Sequence, residues 1–583
     1  MQPRYFISVG PDRDGSACAA AHAASPELPF TASCKNLSIF SDQPIDVFVR
    51  PRATLIMLGW YHRQAHVEGA DLLNPIHIDD IADDCGRKIF NNFWGSYIAI
   101  LHSNVNPEIV ILRDPSGGMP CYYAYIDDVI ELSSHMDILE ARKSIKYIID
   151  DDEIGHHLLF PALRTSRTCL AGLREVPAGF QLRIDQRTVT LSQIWDPWTY
   201  ARRNAYHDDP HEAVSDLRTA ICTTMQAWVA RFEKPVIGLS GGLDSSIVAA
   251  SAVSAGAKAT GLTLVTDESA GDERYYAREI ANFLGIPLEE RYFSAAETDL
   301  QESHAAHLPR PVARSFAQSG DMAYCDVAAK AGADAFFTGS GGDSVFCFQQ
   351  SILPIADRLL YDGVGRGACR TTAEIAEMAE TSVLRCAVLA MRRAWFRNPS
   401  YRWKPETTLL HSDFLYQHSK VASHPWLEVP VGELPGKAAH IVYLLQIQNH
   451  LEGFRRENVL PIIDPLMSQP IVEVCLRIPT WFSCANGENR SIARQAFAPY
   501  LPDSILHRKT KGGPDGFLQR LFYLNRNRIR DMLLGGYLAA AHLIDAGAVE
   551  SAIMRNGRDD HHLQFRLLEL VDVEAWISAI KSR

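Results

Sequence analysis

The sequence lacks the features that mark several protein classes. Its 12 cysteines are scattered and include no C-x-x-C pair, so the usual spacing of zinc sites and thioredoxin-like sites is missing. No run of about eighteen apolar residues occurs, which predicts that nothing spans a membrane. Acidic residues outnumber basic ones by 69 to 57, a net charge of −12, which argues against a nucleic-acid partner bound through an overall basic field. We therefore expect a cytoplasmic protein with reduced thiols and with neither a nucleic-acid nor a membrane partner.

The length of 583 residues is too great for one hydrophobic core and predicts at least two domains. Up to about residue 200, short apolar or alternating segments separated by turns predict a β-rich domain. These segments are Tyr5–Val9, Thr54–Gly59, Tyr97–Leu101, Glu108–Leu112 and Phe180–Ile184. We place the domain boundary in the polar segment Thr190–His211, which predicts domains of residues 1–205 and 206–583.

From about residue 212 the pattern changes. Helical segments alternate with short apolar strands, and this alternation predicts an α/β domain in which helices cover a parallel sheet. The predicted strands are 235–239, 260–265 and 334–338, and the helical segments that alternate with them include 212–232 and 272–284. Beyond about residue 350 the periodicity is mostly helical, as in Thr371–Trp395 and Ala438–Phe454.

The segment Pro235–Ala250 is the most informative part of the chain, because a buried strand, a tight turn and a helix follow one another. The N–H groups of Gly241 and Gly242 and the start of the helix point into one space, which suits a phosphate. Asp244 supplies a carboxylate where a magnesium–phosphate complex would bind. Hydroxyl donors come from Ser240, Ser245 and Ser246. No Lys follows the second glycine, so this is not a Walker loop. A glycine turn between a core strand and a core helix is the alternative.

A second strand runs into a glycine-rich turn at Asp334–Asp343. Loops at the carboxyl ends of parallel strands line one crevice, so we expect Asp343 to meet Asp244 there. Two carboxylates would repel each other and shift each other's pKa, and Mg²⁺ with a triphosphate would resolve that repulsion. A solvent-exposed turn that begins a helix is the alternative for this loop alone.

Two later segments carry further candidates. Glu457 lies beside apolar residues after a helical segment, where it either pairs with Arg455 or Arg456 or acts as a general base. Further on, a glycine-rich segment carries Lys509 and Lys511, whose charge would stabilise an oxyanion or a phosphate. Two lysines on the protein surface are the alternative.

Other polar residues have ordinary structural explanations. We interpret Glu273 as an acid that stabilises the dipole of the helix it opens, rather than as a ligand of metal or nucleotide. His304 and His307 have i,i+3 spacing, but no third ligand is evident nearby, so we predict no metal site there.

In this order, the motifs resemble those of the asparagine synthetase B superfamily, over nearly the whole chain. The first loop resembles the SGGxDS loop of ATP pyrophosphatases, which bind pyrophosphate and release AMP. The matching segments of the second half are Ser240–Ser246, Thr338–Asp343, Glu457 with Pro461–Asp464, and the lysine loop. Those of the first half, which resemble the family's glutaminase-type domain, are Phe93–Tyr97, Arg113–Tyr123 and Pro177–Gly179. The resemblance implies an Ntn-hydrolase-like domain followed by an ATP-pyrophosphatase domain with a helical extension.

Two departures from the family pattern bear on function. The family's glutaminase uses a cysteine directly after the initiator Met, whereas this sequence has Gln2 there and Cys18 as its first cysteine. We therefore expect a degenerate first domain that releases no ammonia from glutamine. At Ser340 the asparagine-forming branch carries Glu, and β-lactam synthetases carry a Tyr that pairs with the acid matched by Glu457. The small Ser340 leaves room for a larger acceptor, such as a folded peptide.

The chain looks most like the lasso peptide cyclases, and this resemblance implies an enzyme that uses ATP and Mg²⁺. Such an enzyme adenylates an Asp or Glu side chain of a core peptide, releases pyrophosphate, and closes an isopeptide ring with release of AMP. Asp244 and Asp343 would hold Mg²⁺, Glu457 would act on the amine, and Lys511 or Lys509 would stabilise developing charge. The implied nucleotide and pyrophosphate contacts are Leu239, Ser240, Gly241, Gly242, Asp244, Ser245, Ser246, Thr266, Gly339 and Ser340.

The resemblance also implies a ribosomal precursor peptide as substrate, with a leader peptidase and a leader-binding protein as further partners. Three alternatives stay open. The enzyme would otherwise be a β-lactam or other small-molecule amide synthetase, or an asparagine synthetase that uses free ammonia. The third alternative is a binding scaffold without catalytic activity.

Overall fold

The structure is a computed structural model, and it describes residues 3–583 apart from several segments. The segments outside the described part are 11–27, 35, 65–85, 106–107, 127–128, 142–145, 186–187, 267–270, 419–421, 509–511, 513–514 and 556–560.

The first domain consists of two six-stranded antiparallel sheets packed face to face. Its strands are β1 (Tyr5–Val9), β2 (Phe30–Cys34), β3 (Leu37–Ser41), β4 (Asp46–Val49), β5 (Ala53–Arg63), β6 (Phe93–Ser103), β7 (Glu108–Arg113), β8 (Tyr122–Ile126), β9 (Val129–Ser133), β10 (Leu173–Glu175), β11 (Phe180–Asp185) and β12 (Thr188–Gln193). The strand orders are β10-β8-β9-β1-β3-β2 and β12-β11-β7-β6-β5-β4. Inward-facing residues such as Ile7 and Ile39 from one sheet and Ile98 and Ile111 from the other form the buried core between them. The predicted β-rich domain is confirmed.

The second domain contains a five-stranded parallel sheet. Its strands are β13 (Pro235–Gly238), β14 (Thr260–Val265), β15 (Leu288–Tyr292), β16 (Ala335–Phe337) and β17 (Ile462–Ile463). The order is β15-β14-β13-β16-β17, so β13 has β14 on one side and β16 on the other. The strand order reverses beside β13, and ligands of open α/β sheets bind in the crevice at the carboxyl ends of the strands at such a point. The predicted parallel sheet is confirmed.

Helices cover this sheet and extend beyond it. In the first domain and up to the sheet they are α1 (Arg87–Asn92), α2 (Met136–Ala141), α3 (Asp151–Leu159), α4 (Trp198–Ala201) and α5 (Pro210–Arg231). Those between the strands are α6 (Leu243–Ser254), α7 (Arg274–Leu284), α8 (Gln318–Ala331), α9 (Gly342–Val345), α10 (Leu353–Asp362), α11 (Arg366–Met378), α12 (Val383–Phe396), α13 (Ser412–Gln417) and α14 (Pro435–Ile447). The last are α15 (Gln469–Arg477), α16 (Ser491–Phe497), α17 (Asp503–Leu506), α18 (Asp515–Leu524), α19 (Arg526–Gly535), α20 (Tyr537–Ala540), α21 (Ala546–Met554) and α22 (His561–Lys581).

The two segments predicted to be mostly helical are helical, but neither forms one continuous α-helix. The segment Thr371–Trp395 is split between α11 and α12, because Glu380 takes a left-handed conformation with φ 47° and Ser382 caps the second helix. The segment Ala438–Phe454 leaves the α-helix at Ile447. Beyond that point, the carbonyl groups of Asn449 and Glu452 accept hydrogen bonds from the Arg314 guanidinium, at 2.8 Å each.

Candidate active site

The turn after β13 is built around Gly241. Its φ is +62°, and a Cβ atom there would lie 2.2 Å from Cβ of Tyr276, so the turn requires glycine. Next to it, the Ser240 and Ser245 hydroxyls lie 3.3 Å apart, and Ser245 Oγ donates to the carbonyl of Gly242 at 3.2 Å. Gly242 precedes α6 as its N-cap residue, with no side-chain cap. The turn therefore presents hydroxyl groups and a helix N-terminus to the crevice above the sheet.

The loop after β16 packs directly onto this turn. A Cβ atom on Gly342 would lie 2.3 Å from Cγ of Asp244, so the close approach of the two loops depends on the missing side chain. The Thr338 hydroxyl donates to Asp464 and accepts from the N–H group of Ser340 at 3.0 Å. Burial raises the pKa of Asp464 to about 6, although the hydrogen bond from Thr338 opposes this shift. Asp464, which directly follows β17, thus anchors this loop.

Arg490 lies between the two carboxylates that the sequence predicts to meet. Its Nη1 atom is 3.0 and 2.9 Å from the two oxygens of Asp244 and 2.6 Å from Oδ1 of Asp343. The structure therefore brings Asp244 and Asp343 to one point. A cation already occupies the position between them, and sequence reasoning did not find it.

The donor set at this point fits a divalent cation. Asp244 and Asp343 offer hard carboxylate oxygens, which Mg²⁺ prefers, and both are turned toward the same positive charge. A metal ion there would have to displace the guanidinium of Arg490. The role of the two aspartates as metal ligands stays a prediction.

A cavity of about 680 Å³ opens above the carboxyl ends of the strands, a volume typical of small-molecule sites. It is lined by Leu239 and Ser240 from the turn, by Gly339 and Ser340 from the second loop, and by Asp244, Ser245 and Asp343. Four arginines, Arg456, Arg490, Arg494 and Arg508, line it as well. Three of these guanidinium groups also contact carboxylates, those of Arg456, Arg490 and Arg508. A polyanionic ligand such as a polyphosphate would be bound by guanidinium groups of this kind.

Three of the predicted contacts, Gly241, Ser246 and Thr266, are not among the residues that line this cavity. Ser246 is fully buried in α6, and its hydroxyl has no hydrogen-bond partner among the described residues, because it faces the core rather than the turn. Among the described residues of the β14 side, Leu262, Thr263 and Leu264 line the cavity, whereas Thr266 follows the end of the strand. The predicted contacts of Gly241, Ser246 and Thr266 with the nucleotide therefore stay predictions, and Thr263 lines the cavity without having been predicted.

Arg508 fixes one end of the lysine loop. Its guanidinium donates to the carbonyl of Ser240 at 2.9 Å and to Oε1 of Glu273 at 2.8 Å, and lies 4.0 Å from the ring of Tyr276. The N–H group of Gly512 donates to the same Glu273 oxygen at 3.2 Å. Glu273 therefore anchors this loop to the cavity, which is more than the helix-dipole role that we predicted. Lys509 and Lys511 lie outside the described residues.

Glu457 lies in a 3-10 turn, Arg455–Asn458. Its Oε1 atom is 2.5 Å from Nε2 of His307 and accepts from the N–H group of Gly453 at 3.2 Å. The predicted pairing with Arg455 or Arg456 is wrong, because those two guanidinium groups contact Glu302 and Asp321 respectively.

The two histidines of the i,i+3 pair have different partners. His304 Nδ1 lies 3.4 Å from Asp321 Oδ2, whereas His307 contacts Glu457. Arg456, which precedes Glu457 in the 3-10 turn, lines the cavity. Its guanidinium lies 4.5 Å from the ring of Tyr324. The 3-10 turn therefore borders the cavity. The sequence analysis named His307 only as half of an i,i+3 pair and Arg456 only as an alternative partner of Glu457. It did not predict the contacts that they make, because no local motif signals them.

The two domains meet at a buried cluster of charges. Glu175 of the first domain contacts Arg113 and Arg164 of the same domain, at 2.5 and 2.6 Å, and Arg310 of the second domain at 2.5 Å. Arg164 also contacts Glu452, five residues before Glu457, at 2.6 Å. Burial raises the pKa of Glu175, but the three guanidinium groups outweigh it and lower the pKa to about 2.

Comparisons with known proteins agree with this architecture. An asparagine synthase family model matches residues 226–423 and 455–578, more than half of the chain. A glutamine amidotransferase domain model matches residues 79–195. No curated protein matches the chain. Within the described residues, no helix has the length and apolar character needed to cross a lipid bilayer.

Three solved structures show weaker similarity. One is a glutamine phosphoribosylpyrophosphate amidotransferase from B. subtilis complexed with ADP and GMP, which is 10% identical, with 49% of this chain and 65% of that chain covered and a TM-score of 0.23. This chain thus spans just under two thirds of that protein. An allosteric regulatory enzyme of purine biosynthesis is 10% identical, over 50% of this chain and 80% of that chain, with a TM-score of 0.23. An NMN synthetase from Francisella tularensis is 21% identical, over 24% of this chain and 60% of that chain, with a TM-score of 0.18.

Proposed function

Because this chain belongs to the asparagine synthase family, we propose that it uses ATP to join a side-chain carboxylate of a peptide to the N-terminal amine of the same peptide, as lasso peptide cyclases do. The family match supports ATP-dependent formation of amide bonds in general. The peptide substrate and the closure of a ring are more specific than this match and are part of the proposal.

One observation favours an amine of the substrate over ammonia as the nucleophile. Cys121 and Cys169 are the cysteines of the first domain whose side chains the structure describes, and both are buried. Burial raises the pKa of the Cys121 thiol to about 11 and that of Cys169 to about 12. Release of ammonia from glutamine by a cysteine requires a thiolate, so neither thiol is suited to that reaction. An amine that arrives with the substrate would supply the nitrogen instead.

In the first step, a carboxylate oxygen of the peptide attacks the α-phosphorus of ATP, and the bond to the β-phosphate oxygen breaks to release pyrophosphate. The hydroxyls of Ser240 and Ser245 and the helix N-terminus behind Gly242 would bind the leaving pyrophosphate. Asp244 and Asp343 would hold Mg²⁺, which neutralises phosphate charge when bound. The guanidinium groups that line the cavity would supply further positive charge.

In the second step, the amine nitrogen attacks the acyl carbon, and the bond to AMP breaks. Glu457 would accept a proton from the amine, and general bases contribute about 10²–10⁴ in rate. Lys511 or Lys509, on the loop that Arg508 and Glu273 anchor, would stabilise the developing charge on oxygen. Ring closure also needs a pre-organised substrate, because bringing the two reacting ends together costs conformational entropy.

The test uses the full chain, ATP, Mg²⁺ and linear precursor-derived peptides with a free N-terminus and an internal Asp or Glu. We expect peptide-dependent exchange of labelled pyrophosphate into ATP, then AMP and a product lighter than the peptide by one water. Two matched peptides separate the steps. The N-acetylated peptide should support exchange without ring formation, and the Asp→Asn or Glu→Gln peptide should support neither.

Other outcomes would replace the proposal. Formation of ADP in place of AMP would exclude adenylation. Production of asparagine from aspartate and ammonium, with no turnover of peptides, would make the enzyme an ammonia-dependent asparagine synthetase. Turnover of a small amino acid into a lactam would assign it to the small-molecule branch, and ATP binding without any carboxylate-dependent turnover would leave a binding scaffold.

A further inference from the structure

His307 and Glu457 are far apart in the sequence but form one of the shortest polar contacts around the cavity, 2.5 Å between Nε2 and Oε1. The same Oε1 atom accepts from the N–H group of Gly453 at 3.2 Å. Both contacts hold one carboxylate oxygen, which fixes the orientation of the carboxyl group. The Glu457 side chain is 11% exposed and that of His307 is 23% exposed, so solvent competes little for either group.

The surroundings of this pair are charged on several sides. Burial lowers the pKa of His307, but the hydrogen bond and the negative charge of Glu457 outweigh it, and the pKa is raised overall with a smaller contribution from Glu452. Arg314, Asp464 and His135 also interact electrostatically with one or other member of the pair. The imidazole is thus positioned as a hydrogen-bond donor to Glu457 in a setting that favours retention of its proton.

No cation from a lysine or arginine contacts Glu457 directly in the described residues, because Arg455 and Arg456 are engaged by Glu302 and Asp321. The 3-10 turn that carries Glu457 also places Arg456 in the wall of the cavity. A carboxylate beside the cavity is thus oriented by an imidazole and a backbone N–H group rather than neutralised by a guanidinium. A carboxylate held in a fixed orientation beside a cavity can serve as a general base.

We propose that His307 is the positioning residue of Glu457 in amide bond formation. This inference rests on the proposed function. When the amine nitrogen bonds to the acyl carbon, a proton passes from that nitrogen to the carboxylate of Glu457, and the bond between the acyl carbon and the AMP oxygen breaks with its electron pair leaving on AMP. His307, which donates to Oε1, keeps the carboxylate in the orientation that receives this proton. Adenylation, in which no amine takes part, does not need His307.

The experiment measures the two half-reactions separately in His307→Ala. We expect peptide-dependent pyrophosphate exchange within about twofold of wild type and an unchanged KM for the peptide. The rate of ring closure should fall about 10- to 100-fold, the loss typical of a misplaced catalytic group, with hydrolysis of the acyl-adenylate to the linear peptide in its place. His307→Gln keeps a hydrogen-bond donor on a side chain of similar length, so it should recover part of the ring-closure rate.

The double variant provides the decisive readout. If His307 acts through Glu457, ring closure in His307→Ala/Glu457→Gln should be no slower than in Glu457→Gln alone, because interacting residues are not additive. His304→Gln is the matched control. It removes an imidazole from the same segment that faces Asp321 instead, and it should keep the wild-type ratio of ring closure to exchange.

The outcomes separate this inference from the proposed function. Wild-type protein that shows no peptide-dependent exchange overturns the proposed function and, with it, the role of His307. Active wild-type protein with undiminished ring closure in His307→Ala, or with fully additive losses in the double variant, overturns the role of His307 alone. Equal losses of exchange and ring closure in His307→Ala also overturn it, because they would reflect a structural defect.

Discussion

Arg490 directs one guanidinium nitrogen at both carboxylate oxygens of Asp244, at 3.0 and 2.9 Å. The same nitrogen lies 2.6 Å from Oδ1 of Asp343. The guanidinium is the cation that holds two neighbouring carboxylates together, since without an opposite charge they would repel each other. A divalent cation bound by both aspartates must therefore compete with this side chain.

We expect Arg490→Met to make the stability of the protein depend on Mg²⁺. Loss of the guanidinium leaves two facing carboxylates and should lower the free energy of unfolding by about 1–3 kcal/mol. The cost is less than for a fully buried pair, because the Asp343 side chain is 47% exposed. Millimolar Mg²⁺ should restore much of this loss by occupying the same position. Urea unfolding with and without Mg²⁺ measures the effect.

Arg530→Met is the control for this experiment. Arg530 pairs with Glu550 on the surface, at 2.8 Å and away from the cavity, so its loss should leave the response to Mg²⁺ as in wild type. An equal Mg²⁺ response in wild type and Arg490→Met would show that the two aspartates are not a metal site that Arg490 occupies.

Gly342→Ala should displace Asp244. The added Cβ atom would lie 2.3 Å from Cγ of Asp244, too close for both groups to keep their places. We expect a destabilisation of about 1–3 kcal/mol and a loss of pyrophosphate exchange of at least about 10²-fold, because the carboxylate is moved away from the nucleotide. Urea unfolding and exchange assays measure the two effects.

Gly535→Ala makes the same chemical change where the added Cβ atom meets nothing within 4 Å, at the end of α19. A glycine-to-alanine change in a helix is neutral or stabilising by about 0.5–1 kcal/mol. This variant should exchange pyrophosphate like wild type. Unchanged exchange in Gly342→Ala would mean that Asp244 has no fixed place in the reaction.

Local pattern was enough to predict the two glycine-rich loops and their meeting. A strand followed by a glycine turn is visible in Pro235–Gly242 and again in Ala335–Gly342, and parallel strands bring their carboxyl ends to one edge. The strand order reverses beside β13, so both loops border the same crevice. The juxtaposition of Asp244 and Asp343 followed from topology and needed no knowledge of side-chain contacts.

Arg490 and His307 were not predictable in this way. Each reaches its partner from a segment more than a hundred residues away, and a single arginine or histidine carries no periodic signal. The break within the helical segment Thr371–Trp395 was not predictable for a different reason. Apolar residues continue at helical spacing through the break, because α11 and α12 pack against each other in one small core. The left-handed conformation of Glu380 therefore cannot be detected from the spacing of apolar residues.

Asp464→Asn should change how stability depends on pH. Burial raises the pKa of Asp464 to about 6, above the value of about 3.9 in the unfolded chain. The folded state therefore binds a proton that the unfolded state has lost, and the associated stability, present below about pH 4, is lost as the pH rises through about 6. Two pKa units correspond to roughly 3 kcal/mol. The variant has no such loss, so its free energy of unfolding relative to wild type should rise between pH 4 and 7.

This difference is obtained from urea unfolding of both proteins across the pH range. Asp531→Asn, at a side chain that is 78% exposed, should give a difference from wild type that stays flat. If the difference for Asp464→Asn is also independent of pH, Asp464 is ionised to the same extent in the folded and unfolded states, and its pKa is not raised by folding.

Glu175→Gln should be among the most destabilising single changes in the chain. The carboxylate is fully buried and contacts three guanidinium groups, those of Arg113, Arg164 and Arg310. Removal of its charge leaves these cations uncompensated in a buried site, which costs about 3–5 kcal/mol. Denaturant unfolding measures the loss. Glu108→Gln, which removes a half-exposed pair with Arg183 at 3.0 Å, should cost less than about 1 kcal/mol.

The same cluster predicts that a second substitution restores part of the stability lost in Glu175→Gln. Arg310 is the member from the second domain, and once Glu175 is neutral its guanidinium is a buried cation that repels Arg113 and Arg164. Adding Arg310→Met to Glu175→Gln should therefore recover stability, whereas Arg310→Met in the wild-type background should reduce it. A loss that is additive in the double variant would mean that Glu175 and Arg310 act independently. The link between the domains would then depend on apolar packing rather than on this cluster.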